Sequence, residues 1–110
     1  MDHNVIGVLS MVIPMIGIIA TIKTKDGQGA EFEAVFRELS AKVRANEQGN
    51  KLYQLTKSRT EPNTYKVLEL YADQDALSAH GQTDYFKDLG RKMGAAMDGR
   101  PQIELLDSVD

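Results

Sequence analysis

The first part of the chain combines a long uncharged run with a strand pattern. Residues 5–22 contain no charged side chain and are mostly apolar, which would be long enough to span a membrane. Pro14 and two glycines interrupt the run, and an acidic residue rather than a basic one precedes it, which argues against a membrane span. The β-branched residues after Pro14 instead predict a buried strand over residues 15–24.

We expect residues 1–14 to be a leader or a cloning-derived extension, because Met15 directly precedes the predicted strand and would serve as a start. The alternative is an additional strand or arm that docks on a partner subunit. Residues 15–110 are expected to form one domain, since 110 residues are enough for one domain and too few for two.

After a turn at residues 25–29 the apolar positions recur at helical spacing. They are Phe32, Val35, Phe36, Leu39 and Val43. This stripe predicts a helix over residues 28–46, followed by a glycine cap at Gly49. The remaining predicted elements are strands at 51–59 and 64–72, helices at 76–80 and 84–97, and a last strand that begins at Ile103 and ends near Val109.

The order strand, helix, strand, strand, helix, strand is the split βαβ pattern, so the predicted fold is an α+β, ferredoxin-like domain. Two helices would pack on one face of a four-stranded antiparallel sheet. The first strand is apolar on both of its faces, from Met15 to Ile22. The second face therefore needs a cover, and the simplest cover is another copy of the chain in a homodimer.

Composition narrows the function classes. Thirteen basic against sixteen acidic residues give a net charge of −3, which argues against a nucleic-acid binder. The absence of cysteine excludes a disulfide scaffold, a zinc–thiolate site and a cysteine nucleophile. It also fits a reducing cytosol, so we expect a cytoplasmic protein that does not bind a membrane. With only two histidines, no metal site is expected.

Glu69 is the first candidate for chemistry. Alternation along the strand at 64–72 places it on one face with Tyr65, Val67 and Tyr71. Burial between tyrosines would raise its pKa toward neutrality and let it accept or hold a proton. The alternative is a structural carboxylate paired with Lys or Arg across the sheet. We expect Glu69 to face a semi-enclosed pocket, with Tyr53, Tyr65 or Tyr71 beside it.

Three other residues could belong to the same pocket. His80 ends a predicted helix, where the charged imidazole is favoured, and is expected near the pocket mouth as a proton donor. Its alternative is a packing or capping histidine. Asn46 extends the apolar stripe of the first helix and could either reach the cavity or cap the next turn. Tyr53 could line the pocket or simply pack.

Several short blocks that contain these residues resemble the sequence pattern of the antibiotic biosynthesis monooxygenase family, and the resemblance extends over residues 15–109. The matching blocks are Glu47-x-Gly49-x-x-x-Tyr53, Glu69-x-Tyr71 with Asp73, Ala76-Leu77-x-x-His80, and Thr83-x-Tyr85-Phe86. The resemblance implies a ferredoxin-like homodimer with a cavity between sheet and helices. It also implies oxygenation of a quinol or phenol by O₂ without a metal or flavin cofactor, with Glu69 and His80 as acid/base or orienting groups. Tyr53, Tyr65, Tyr71 and Asn46 are the expected substrate contacts.

Two other functions stay open. One is an isomerase or lyase of a small oxygenated metabolite, similar to the branch of the family that processes a phosphorylated autoinducer-2 signal. It would need a phosphate-binding cluster drawn from the basic residues Lys57, Arg59, Arg91, Lys92 and Arg100. The other is a ligand-binding dimer without enzymatic activity. The absence of tryptophan weakens the haem-degrading branch of the family.

Overall fold

The computed structural model describes residues 14–110, so the prediction for residues 1–14 lies outside the described residues except at Pro14. The strands are β1 (Ile16–Lys23), β2 (Asn50–Lys57), β3 (Thr64–Tyr71) and β4 (Gln102–Asp107), and the helices are α1 (Gly29–Asn46), α2 (Gln74–Gln82) and α3 (Asp84–Ala96). The strands form one antiparallel sheet in the order β2-β3-β1-β4. The predicted α+β, ferredoxin-like fold is confirmed.

Side-chain caps set the boundaries of the two later helices. The carboxylate of Asp73 accepts a 2.8 Å hydrogen bond from the backbone N–H of Ala76 and begins α2. This helix is longer than the predicted 76–80, because it begins two residues earlier and continues through Gly81 to Gln82. It ends at Thr83, whose hydroxyl then caps α3 by accepting from the N–H of Phe86 at 3.3 Å.

The predicted role of Gly49 as a left-handed helix cap is wrong. Positive φ among the described glycines occurs at Gly27 and Gly99, and α1 ends instead with the N–H of Glu47 bonded to the carbonyl of Val43. Gly49 is needed for a different reason. A Cβ atom at this position would lie 2.5 Å from the Cβ of Ala76, so the absence of a side chain lets the loop after α1 pack directly on α2.

The core lies between the sheet and the helices. Residues directly opposed in antiparallel strands share a face, so Ile18 and Ala20 of β1 point toward the helices with Val67 of β3. Phe32, Phe36, Leu39 and Val43 of α1 are buried against them, as the stripe predicted. Every tyrosine of β2 and β3 lies on this helix side of the sheet, and all three are buried.

The opposite face of the sheet carries an apolar patch that no helix within residues 14–110 covers. Its members are Gly17 and Ile19 of β1, Leu52 of β2, Leu68 and Leu70 of β3, and Leu106 of β4. Leu52 and Leu106 are exposed, at 42% and 43%. None of the helices in the described part of the chain has the length and hydrophobicity to cross a bilayer.

Candidate active site

A cavity of about 400 Å³ lies between the helix side of the sheet, helix α3 and the turn that follows α3. Its size is that of a small-molecule site. Apolar side chains dominate the wall, with Phe86 and Met93 contributed by α3. The ionisable residues in the wall are Tyr53, Glu69 and Arg100.

Glu69 faces this cavity from the middle of the sheet. Its neighbours in register are Ile18 on β1 and Tyr53 on β2, so the alternative of a Lys or Arg partner across the sheet does not apply. Three effects together raise the pKa of its carboxyl group from 4.5 to about 7: burial, the largest, raises it, the hydrogen bond from Tyr71 lowers it, and the negative charge of Glu47 raises it. A carboxyl group with this pKa is suited to accept or release a proton near neutral pH.

Tyr71 holds the Glu69 carboxylate from behind. Its hydroxyl donates to Oε1 of Glu69 at 2.6 Å, and its side chain is fully buried. Burial, followed by the charge of Glu69, raises the pKa of the Tyr71 hydroxyl. The hydroxyl thus stays protonated and remains a donor throughout the neutral range.

Tyr53 presents a phenol to the same cavity. Its ring stacks on Phe36 with centroids 5.3 Å apart and an angle of 9° between the planes. Burial, then the charges of Glu69 and Glu47, raise the pKa of its hydroxyl, which receives no side-chain hydrogen bond from residues 14–110. The hydroxyl is therefore free to bond a ligand oxygen.

His80 lies in a second layer behind the cavity wall. The imidazole packs against the rings of Phe86, Tyr53 and Tyr71, with centroid distances of 4.6, 5.2 and 5.4 Å. It is 4% exposed and does not line the cavity. The structure thus places it inside the protein rather than at the pocket mouth, because α2 packs its inner face onto the sheet.

The protonation state of His80 also differs from the expectation. Burial lowers its pKa, and the nearby Glu47 carboxylate opposes this shift without overcoming it. The expected rise at a helix C-terminus is therefore wrong. Nδ1 lies 2.9 Å from Oε1 of Glu47, and a carboxylate can only accept. The neutral ring must therefore carry its proton on Nδ1, which leaves the lone pair on Nε2.

Of the four expected substrate contacts, only Tyr53 lines the cavity. Tyr71 lies behind Glu69 and does not reach the cavity wall, and the other two lie elsewhere. Tyr65 is four residues from Glu69 on β3, roughly 13 Å at the rise of a strand, and its hydroxyl donates to Oε2 of Glu33 at 2.6 Å. It lines a separate groove between α1 and β2. Asn46 is exposed, and its amide donates to the carbonyl of Lys42 at 2.8 Å. Glu69, Tyr53, Tyr71 and His80 are thus brought together, whereas Tyr65 and Asn46 are not.

The sequence also matches a known protein family over most of its length. The family model for antibiotic biosynthesis monooxygenase matches residues 15–92. The chain belongs to the antibiotic biosynthesis monooxygenase family. The match covers β1, α1, β2, β3 and α2 and ends at residue 92 within α3, so the last residues of α3, the turn after it and strand β4 lie beyond the match.

Three similar proteins are covered by this chain over most of their own length. YcnE of Bacillus subtilis (strain 168), named as a candidate monooxygenase, is 36% identical over 73 residues, which are 66% of this chain and 76% of YcnE. A crystal structure of a candidate antibiotic biosynthesis monooxygenase from Caulobacter crescentus is 58% identical, with a TM-score of 0.86 over 88% of this chain and 92% of that chain. PA3566 of Pseudomonas aeruginosa is 28% identical, with a TM-score of 0.78 over 91% and 98%.

Glu47 is a member of the family motif that sequence reasoning did not place in the site. Its carboxylate accepts hydrogen bonds from His80 and from the hydroxyl of Tyr85. Gly49 makes this possible, because it lets the loop that carries Glu47 approach α2. The Glu47-x-Gly49 block of the family resemblance was the signal that could have identified Glu47. Phe86, also in a motif, separates His80 from the cavity.

Proposed function

We propose that this member of the antibiotic biosynthesis monooxygenase family oxygenates a quinol or a related phenol with O₂ and without a cofactor. The observation that supports this most is the Glu69 carboxyl group. It faces a mainly apolar cavity, beside the Tyr53 hydroxyl, with its pKa near 7. A base with a pKa close to ambient pH is suited to removing a proton from a phenol.

The proposed reaction converts a quinol and O₂ into a hydroxyquinone and water. Glu69 takes a hydroxyl proton, and the electron-rich ring transfers one electron to O₂. The two radicals then combine at a ring carbon that bears hydrogen. The resulting hydroperoxide breaks its O–O bond and loses that carbon's hydrogen, which leaves a C=O group and releases water. The quinol supplies all four electrons, so the step needs no other reductant.

The residues around Glu69 have separate roles in this proposal. Tyr53 contacts the substrate oxygen and orients the ring. Tyr71 donates to Glu69 and fixes its carboxylate. His80 is a positioning residue that supports the rings of Tyr53, Tyr71 and Phe86, and Glu47 holds it in one tautomer. Tyr65 and Asn46 have no part, because they lie outside the cavity.

The isomerase alternative gains less support. It requires several basic side chains around a phosphate, but of the five basic residues considered for that cluster only Arg100 lines the cavity. Arg91 is engaged by Asp88 on the surface of α3 at 2.6 Å. A single cation suits a monoanion better than a phosphate monoester.

We also propose that the protein is a homodimer whose two sheets pack face to face. The apolar patch formed by Leu52, Leu68, Leu70 and Leu106 supports this, since monomeric proteins rarely expose contiguous patches of that kind. On the same face, Gln54 lies beside the patch and Thr56 and Lys66 lie beyond it, which would give the interface a polar margin on that side.

The activity is tested by incubating the protein with a panel of hydroquinones in air and under anaerobic conditions. We expect O₂-dependent formation of a hydroxyquinone, with one atom of ¹⁸O₂ in the product. Replacing Glu69 by Gln should lower the rate at least about tenfold, or roughly 1.4 kcal/mol of barrier. In the parent protein, kcat/KM should rise with pH to a plateau above about 7, as Glu69 ionises.

Glu33→Gln is the matched control, because Glu33 also accepts a hydrogen bond from a tyrosine but lies outside the cavity. It should keep the parent rate. Equal rates in the parent and Glu69→Gln proteins, or rates no faster than autoxidation in buffer, would remove the oxygenase assignment for these substrates. A ligand-binding dimer would then be the better assignment.

A further inference from the structure

The cavity has an acid/base group toward one end and a cation at the other. Glu69 on β3 and Tyr53 on the edge strand β2 are partners in register, whereas Arg100 follows helix α3 at the rim. No other Lys, Arg, Asp or Glu lines the cavity. The ion pairs found within residues 14–110 do not involve Arg100. Its positive charge is therefore not neutralised by a described carboxylate.

The backbone around Arg100 is held in place. The N–H of Asp98 donates to the carbonyl of Lys23 at 2.7 Å, and Met97 forms an isolated bridge with Thr24. Gly99 has φ +85°, a conformation that favours glycine, and Pro101 restricts the chain on the other side. The turn is thus tied to the end of β1, so its position at the rim does not depend on a bound ligand.

Strand register gives the separation of the two ends along the strands, to which the spacing across β1 adds, because β3 and β4 flank that strand. Glu69 pairs with Ile18, and Gln102 pairs with Thr21, three residues further along β1. This corresponds to roughly 10 Å of strand rise. The backbone of Arg100 lies two residues before Gln102 in the chain and is therefore further from Glu69. Its long side chain can extend back toward the cavity. A phenol at Glu69 and an anion at Arg100 would therefore be separated by more than one aromatic ring.

We propose that the ligand of this cavity is a phenol or quinol that carries a carboxylate on a short side chain, and that Arg100 binds this carboxylate. The phenolic end rests on the function proposed above; the carboxylate end rests on Arg100. The guanidinium group provides a planar pair of donors that matches a carboxylate. Because this group is at the rim, its effect is that of a partly solvated ion pair, about threefold to fivefold in Kd.

Binding of compounds that O₂ does not readily oxidise tests this without turnover. The probes are 3-(4-hydroxyphenyl)propanoate and its amide, which differ in charge, and 4-hydroxybenzoate, which has a shorter span. Kd values are measured by calorimetry for the parent, Arg100→Gln and Arg91→Gln proteins. Arg91 is the control, since it lies on α3 outside the cavity.

The parent protein and Arg91→Gln should bind the propanoate about threefold to fivefold more tightly than the amide, and also more tightly than 4-hydroxybenzoate. In Arg100→Gln the acid and the amide should bind equally. Equal binding in the parent, or an acid preference that survives in Arg100→Gln, would overturn the role of Arg100 while leaving the oxygenase proposal in place. Lack of binding by all three probes at millimolar concentration would overturn the proposed ligand class. Conversely, an inactive protein that shows the expected charge preference would fail only the oxygenase test.

Discussion

The hydroxyl of Tyr71 donates a 2.6 Å hydrogen bond to Oε1 of Glu69, two residues earlier on the same face of β3. A strand usually separates such residues by about 7 Å along its axis, so the long phenol must lean back over the carboxylate. This contact stabilises the charged form of Glu69, whereas burial stabilises the neutral form. The pKa near 7 results from the two opposing effects together with the charge of Glu47.

Replacing Tyr71 by Phe should raise the pKa of Glu69 above about 7, because the variant loses the donor that favours the ionised carboxylate. The pKa is measured by ¹³C NMR titration of the glutamate carboxyl groups. Tyr65→Phe is the control, since that hydroxyl bonds Glu33 instead. An unchanged or lower Glu69 pKa in Tyr71→Phe would show that the contact does not govern ionisation.

Glu69→Gln should change the pH dependence of stability. The carboxyl pKa is about 7 in the folded protein and 4.5 in the reference state, so the folded state binds the proton more tightly. The contribution of Glu69 to the free energy of unfolding is therefore greatest below pH 4.5 and declines as pH rises to about 7. The decline amounts to about 3 kcal/mol, because one pKa unit corresponds to about 1.4 kcal/mol.

Urea unfolding of both proteins between pH 4.5 and 8 measures this difference. The two proteins must be compared because His80 also makes stability depend on pH. Its pKa is lower in the folded protein than in the unfolded chain, so its contribution to the free energy of unfolding decreases as pH falls below the unfolded pKa. This change is common to both proteins and cancels in their difference. The parent should lose stability relative to Glu69→Gln as pH rises. Parallel curves for the two proteins would contradict a raised Glu69 pKa.

Glu47→Gln should lower two pKa values at once. The Glu47 carboxylate raises the pKa of His80 through its charge and hydrogen bond, and it raises that of Glu69 through its charge. Loss of the buried charged contact should also decrease the free energy of unfolding by about 2 kcal/mol. NMR titration and urea unfolding measure these effects. Glu38→Gln, an exposed change on α1, should alter neither pKa, and a similar response in both variants would exclude a specific role for Glu47.

Leu70→Lys should dissociate the proposed dimer, because it places a charge in the apolar patch on the face of the sheet opposite the helices. Sedimentation equilibrium should give about twice 12.2 kDa for the parent and about 12.2 kDa for the variant. Ala34→Lys adds the same charge to an exposed position on α1 and should remain dimeric. A parent protein that is monomeric at micromolar concentration would refute the dimer.

The sequence alone determined the order of the elements and the faces of the strands, because both depend on local periodicity. Alternation was enough to place Glu69 with Tyr65 and Tyr71 on one side of β3, and the turn between 60 and 63 was enough to pair β2 with β3. The blocks that resemble the family could also be identified from the sequence, because each block spans only a few neighbouring residues. The Glu-x-Gly element, however, did not show that Glu47 contacts a histidine 33 residues later.

Only the tertiary structure decided which candidates share a cavity and which are charged. Asn46 continues the stripe of α1, yet it lies beyond the last turn that the sheet covers and is exposed. His80 has the sequence context of a charged helix end, yet the packing of α2 on three aromatic rings buries it and lowers its pKa. Burial depends on how distant segments approach each other, and a periodic pattern within one segment does not contain that information.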